Sequence, residues 1–115
     1  MEHKTGLDEQ KMYKTKGYFK YRFLGGSSNE GTELKEGIGI TAINSRSMKA
    51  IFDMDSKEDK LIMVEAGIEG IGPIRAVCRL AAEVESEKIL DMIIIKEHDL
   101  AIIDGYIAGR LNSSL

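Results

Sequence analysis

The chain is poor in cysteine, proline and tryptophan. Among its 115 residues there are one cysteine, one proline and no tryptophan. A single cysteine excludes an intramolecular disulfide and any zinc site built from several cysteines. A second dependable histidine beside His98 is also missing, because His3 lies in the polar start of the chain. We therefore predict no metal site, and no motif calls for a cofactor.

Long apolar runs are absent as well. The longest, such as residues 92–95, are far too short to span a bilayer. The start of the chain is polar and lacks the apolar centre of a signal peptide. Together with the low cysteine content, these features indicate a cytoplasmic protein without a membrane segment.

No sign of charge is in large excess. Sixteen basic and 19 acidic residues give a formal net charge of -3, which is unlike a polycation built for nucleic acid. The hydrophobic fraction of 43% is ordinary for a globular protein and excludes a wholly disordered chain. The length allows one domain. We expect a flexible polar tail at residues 1–16 and a single α+β domain at residues 17–115.

Alternation of apolar and polar side chains predicts the strands. In residues 17–24, Phe19, Tyr21 and Phe23 share one face, which is typical of a strand with one buried side. Further strands are predicted at residues 37–43, 48–54, 61–64 and 89–95.

The only proline begins a predicted helix. Pro73 occupies a good first helical position, and residues 73–85 carry apolar side chains at helical spacing. Residues 98–112 fit either a hairpin around Asp104-Gly105 or a helix capped by Asp99, and both alternatives stay open. These elements predict an α+β fold, a mostly antiparallel sheet of five or six strands with one or two helices packed on one face.

Glycines precede the predicted helix. Gly67, Gly70 and Gly72 follow a strand, and Arg75 lies in the first helical turn. Free N–H groups at a helix start attract anions, and arginine adds a charge-assisted bond. The spacing is neither a P-loop nor the dinucleotide fingerprint. The leading hypothesis is a small non-enzymatic binding domain that holds an anionic small molecule or a partner's acidic group at these residues. The alternative is a tight connection that simply needs glycine.

A basic and aromatic segment supports a second hypothesis. Residues 11–23 contain five basic residues, no acidic ones and five of the seven aromatics. Basic side chains neutralise phosphates and aromatic rings stack on bases, so the segment suits single-stranded nucleic acid. The candidate contacts are Lys14, Lys16, Tyr18, Lys20 and Arg22. The alternative is an edge strand with its aromatics in the core and its lysines outward.

Two further expectations complete the prediction. A small enzyme using Cys78, His98 or the acidic residues 53–59 is the least favoured hypothesis, because no arrangement of a nucleophile and a base stands out. Open sheet edges and the apolar strands at residues 61–64 and 92–95 favour a homo-oligomer that covers them.

Overall fold

The computed structural model describes residues 11–24, 33–53 and 61–113, with side chains as far as residue 110. In these residues the chain forms eight strands and one C-terminal helix. The strands are β1 (Tyr13–Gly17), β2 (Phe19–Phe23), β3 (Lys35–Glu36), β4 (Gly39–Ile43), β5 (Ser47–Ile51), β6 (Leu61–Ile68), β7 (Ile71–Val84) and β8 (Glu87–Ile95), and the helix is α1 (Glu97–Ser113).

The strands form one antiparallel sheet that curls into a half-barrel. Its order is β1-β4-β5-β8-β7-β6-β2-β3. β1 and β2 are joined through Tyr18 alone, yet five strands lie between them in this order. The sheet must therefore curl until its two sides meet at that segment. Two backbone hydrogen bonds join the two sides of the sheet there. Gly67 N–H donates to the Tyr18 carbonyl at 3.1 Å, and Glu69 N–H donates to the Lys16 carbonyl at 2.9 Å.

Two glycines permit this close approach. A Cβ built on Gly17 would lie 1.9 Å from the carbonyl oxygen of Gly67, which is a backbone atom with little freedom to move. A Cβ on Gly67 would lie 2.6 Å from the ring of Tyr18. Only glycine therefore fits at positions 17 and 67, where the bend between β1 and β2 meets β6.

Apolar side chains on the inner side of the curl form the core. Every second residue of β6 is fully buried, namely Ile62, Val64, Ala66 and Ile68. The Phe52 ring packs against Phe19 and Tyr21, with ring centroids 4.9 and 4.7 Å apart. α1 packs chiefly on β7 and places Ile103 in the core. Phe19, Tyr21 and Phe23 thus face the core as their alternation predicts, with Phe23 half-buried against it.

The helix predicted at residues 73–85 is wrong, because the chain is extended there as β7. The turn Glu69-Gly70, with φ of 41° and 89°, reverses the chain directly from β6 into β7. β7 is then hydrogen-bonded to β6 on one side and to β8 on the other. Its first half alternates, and the buried residues are Ile74, Ala76 and Cys78. Strand pairing on both sides overrides the helical spacing of its apolar residues.

The predicted fold class is also corrected. The sheet has eight strands rather than five or six, because β7 joins it, β1 lies in the segment expected to be a tail and β3 has only two residues. Residues 98–112 belong to α1, so the hairpin alternative at Asp104-Gly105 is wrong. β1 begins at Tyr13, so the last residues of the segment expected to be a tail pair with β4. Residues 1–10 lie outside the described residues.

The glycine contact at the bend gives a testable prediction. We expect Gly17→Ala to lower the free energy of unfolding by roughly 3 kcal/mol, because its Cβ meets backbone that has little room to shift. The matched control is Gly105→Ala in α1, where nothing lies within 4 Å of the added Cβ. That variant should gain about 0.5–1 kcal/mol from helix propensity. Chemical denaturation measures both, and similar stabilities for the two variants would contradict this account of the curl.

Candidate functional site

The glycines of the predicted anion site shape the backbone of the hairpin formed by β6 and β7. Gly70 and Gly72 have φ of 89° and 100°, conformations that favour glycine. The N–H groups of Gly67 and Glu69 donate to carbonyls of the β1–β2 segment. Pro73 lies in β7, so the helix start on which the anion site was to rest does not exist at this position. The geometry supports the alternative of a tight connection that needs glycine.

Arg75, the fourth predicted residue, points outward from β7 and pairs with Glu65. Its Nε donates to Glu65 Oε1 at 3.1 Å, and the Tyr18 hydroxyl donates to Glu65 Oε2 at 3.0 Å. The Glu65 side chain is 16% exposed, whereas the Arg75 side chain is 67% exposed. The bond uses one of five guanidinium N–H donors, so Arg75 retains donors directed toward solvent.

Burial and hydrogen bonding act in opposite directions on Glu65. Burial alone raises the pKa of its carboxyl, but the bonds from Tyr18 and Arg75 and the charges of Arg75 and Lys20 outweigh it and lower the pKa. Burial raises the pKa of Tyr18, and the bond to Glu65 adds to the shift. Glu65 is therefore a fixed carboxylate that holds the Arg75 guanidinium in place.

Arg75 also lines a groove of about 500 Å³ on the outer face of the sheet. We call it the outer groove, and its lining consists of Met63, Pro73, Arg75, Ala76, Val77, Ile94, Ile95, Lys96, His98 and Asp99. It lies where β7, the end of β8 and the start of α1 meet. Apolar side chains predominate in this lining, and charged or titratable ones come from the ends of the strands and from α1.

Lys96, between the end of β8 and the start of α1, contributes a second cationic side chain. Leu100 N–H donates to the Lys96 carbonyl at 2.9 Å, which is the first bond of the helix. Lys96 and His98 are exposed, and the Asp99 carboxylate accepts the backbone N–H of Arg75 at 3.4 Å. Two cations and one anion thus line the outer groove, with His98 beside them. This helix start lies 24 residues beyond the one predicted at Pro73 and two residues before Asp99, the cap of the helical alternative for residues 98–112.

Most rings of the basic and aromatic segment are withdrawn from the surface that base stacking needs. Phe19 and Tyr21 are buried in the core, and Tyr18 is 43% exposed with its hydroxyl bonded to Glu65. Lys14 and Lys16 are exposed and Arg22 is half-buried. Lys20 lies in register between Glu36 and Glu65, which balance its charge. The arrangement fits an outer strand face better than a nucleic-acid surface.

The residues named for an enzyme lie apart. Cys78 is buried in β7, and burial together with the Asp91 charge raises the pKa of its thiol to about 12. His98 lies at the rim of the outer groove. Asp53 is exposed, and the remainder of the acidic segment lies outside the described residues. Across the described residues, no three His, Cys, Asp or Glu side chains are grouped so as to hold a metal ion.

A second groove, of about 620 Å³, lies beside the turn between β4 and β5. We call it the turn groove. Asn44 Oδ1 accepts the N–H groups of Arg46 and Ser47, at 2.8 and 2.7 Å. The Ser47 hydroxyl donates to Asp91 at 2.8 Å. These polar groups are engaged in holding the turn, so the turn groove serves as a comparison site.

No protein-family model matches this chain, and no match is found among curated proteins or solved structures. Over the part of the chain that the structure describes, no helix combines the length and apolar character that a membrane span needs.

Sequence reasoning found Arg75 but missed the residues that surround it. Val77 and Ile94 are cross-strand neighbours, as are Met63 and Val77, so their proximity depends on the β6–β7–β8 register. Lys96 was assigned to a turn. The sequence feature that could have indicated the groove is the i, i+2 spacing of Arg75 with Val77 and of Ile94 with Lys96. This spacing places each pair on one face only when the chain is extended.

The lowered pKa of Glu65 predicts a pH-dependent stability. Because its folded-state pKa lies below the usual 4.5, its stabilisation is present above that pH and is lost as the pH falls through the folded-state value. We expect Glu65→Gln to be less stable than wild type at neutral pH, with the difference shrinking in acid. Denaturation from about pH 3 to pH 7 measures this. Tyr18→Phe, which removes one bond to the carboxylate, should show an intermediate acid dependence, and parallel curves for all three proteins would contradict the role of Glu65.

The raised pKa of Cys78 predicts an unreactive thiol. At pH 8 a thiol of pKa about 12 carries about a thousandfold less thiolate than one of pKa 9. We expect alkylation of the native protein to be at least about tenfold slower than that of the denatured chain, because the greater nucleophilicity of a high-pKa thiolate offsets part of its scarcity. Rapid native-state alkylation would reopen the hypothesis of a nucleophilic cysteine.

Proposed function

We propose that the protein is a small non-enzymatic binding protein that holds an organic anion in the outer groove. The observation that supports this most strongly is the position of Arg75, which lines an apolar groove with its guanidinium largely exposed and its orientation fixed by Glu65. Apolar walls with a few oriented polar groups are typical of small-molecule sites.

The charges of the groove favour an anion over a cation. Arg75 and Lys96 supply two positive charges in the lining. The Asp99 carboxylate already accepts a backbone N–H, and the Glu65 carboxylate beside the groove is already bonded to Arg75 and Tyr18. The N–H groups in the first turn of α1 lack intrahelical acceptors and add positive potential. An arginine held at one edge by Glu65 offers its other edge to a carboxylate or phosphate.

The lining residues of the outer groove favour binding over catalysis. His98 lines the groove as an exposed side chain and lies between two charged neighbours in sequence, Glu97 and Asp99. Among the described residues that line the groove there is no serine, threonine or cysteine. A cytoplasmic location and homo-oligomerisation stay predictions, which cell fractionation and sedimentation test.

The proposal is tested by titrating the protein with short organic anions, with hexanoate and benzoate as the first probes. We expect Arg75→Gln to weaken binding at least about tenfold, since it removes a charge-assisted bond and leaves Glu65 to repel the anion. Glu65→Gln should have the opposite effect and strengthen binding, because Arg75 then has no competing carboxylate. Calorimetry or ligand-observed NMR measures the affinities.

The matched control is Arg46→Gln, the same change in the turn groove. It should leave the affinity within about twofold of wild type. Loss of binding in Arg46→Gln but not in Arg75→Gln would place the ligand in the turn groove and overturn the proposal, as would the absence of binding by any anion. If single-stranded RNA binds instead, with an affinity that falls steeply with salt, the nucleic-acid hypothesis replaces it.

A further inference from the structure

The floor of the outer groove continues across the sheet as a row of apolar side chains. In register, Ile94 of β8 lies opposite Val77 of β7, and Val77 lies opposite Met63 of β6. Ile94 is 60% exposed, whereas Val77 and Met63 are half-buried. We call these three residues the apolar row. Because neighbouring strands are about 4.8 Å apart, it extends for about 10 Å across the strands.

The two cations of the groove lie at one side of this row. Arg75 is two residues before Val77 on β7, and Lys96 is two residues after Ile94 at the end of β8. In extended chain such pairs share a face, with about 7 Å between their Cα atoms. The outer face thus has a cationic side, formed by Arg75 and Lys96, which lies alongside Val77 and Ile94 of the apolar row.

A bulge in β8 brings the exposed isoleucine onto this face. Cys78 pairs with Met92, and the preceding residue Val77 pairs with Ile94, so Ile93 is the extra residue. Without this residue the side chains after Met92 would exchange faces. The bulge therefore places Ile94 beside Val77 on the outer face and Ile95 beside Ala76.

We infer that the ligand is an acyl-chain carboxylate, with its carboxylate at Arg75 and Lys96 and its chain along the apolar row. This inference rests on the proposed function and specifies the class of anion. A short or compact anion would engage the cations and leave most of the row uncovered. A linear chain covers both the cations and the row, and it removes the exposed Ile94 side chain from water.

The test is a chain-length series of butanoate, hexanoate, octanoate and decanoate, each below the concentration at which it forms micelles. Full burial of a methylene raises affinity by about fourfold, and an open groove buries roughly half of each. We expect affinity to rise about twofold per methylene and then to level off when the row is covered. Octanol of the same chain length should bind at least tenfold more weakly than octanoate, since it lacks the charge that Arg75 and Lys96 recognise.

Two matched variants separate the chain from the carboxylate. Ile94→Ser should weaken decanoate about fivefold and leave butanoate unchanged. Ile38→Ser is the control, because Ile38 is 81% exposed and lies outside the outer groove. It should change neither affinity. Both isoleucines are largely exposed, so neither substitution should prevent folding.

The outcomes distinguish this inference from the proposed function. Binding that depends on Arg75 but not on chain length, or that is unaffected by Ile94→Ser, overturns the acyl-chain inference and leaves an anion site. No binding by any member of the series overturns both. A dimer in sedimentation that Ile94→Ser dissociates assigns the apolar row to an interface between two copies, and this also overturns the inference.

Discussion

The close contact between the backbone at Gly17 and Gly67 is the constraint on which the rest of the fold depends. At this point one continuous segment changes partners, pairing with β4 through β1 and with β6 through β2. No side chain fits between the two backbones. Because they meet here, the sheet curls, and its inner side becomes a core that α1 extends through Ile103. The outer side is left to polar residues and to the outer groove.

The outer groove forms because the curl gives the sheet a buried inner side and an exposed outer side. On the inner side β7 places Ile74, Ala76 and Cys78 in the core. The alternate residues, Arg75 and Val77, must then face outward, where they meet the end of β8 and the start of α1. An arginine and an apolar row therefore occur side by side. Glu65 fixes the arginine and limits its freedom to collapse onto the sheet.

The sequence allowed part of the fold to be predicted, and the reasons for success and failure are physical. The strands at residues 17–24, 61–64 and 89–95 were predictable because their alternation or β-branched content has no helical alternative. β7 was not, since Ile74, Val77, Cys78 and Ala81 satisfy the helical period while Ile74, Ala76 and Cys78 satisfy the strand period. Only the pairing of β7 with both neighbours decides between them, and pairing is a long-range property. The same limit hid the groove. Of its lining, Arg75 alone was predicted to bind a ligand, and His98 was named only for the least favoured enzyme hypothesis.

The most direct test of the outer groove as a binding site is an amide NMR titration of the protein with octanoate. The account predicts that the largest shift changes fall on Arg75, Val77, Ile94 and Lys96 and that those at Arg46 and Ser47 are small. The largest changes at the β4–β5 turn, or small changes spread evenly over the sheet, would contradict it.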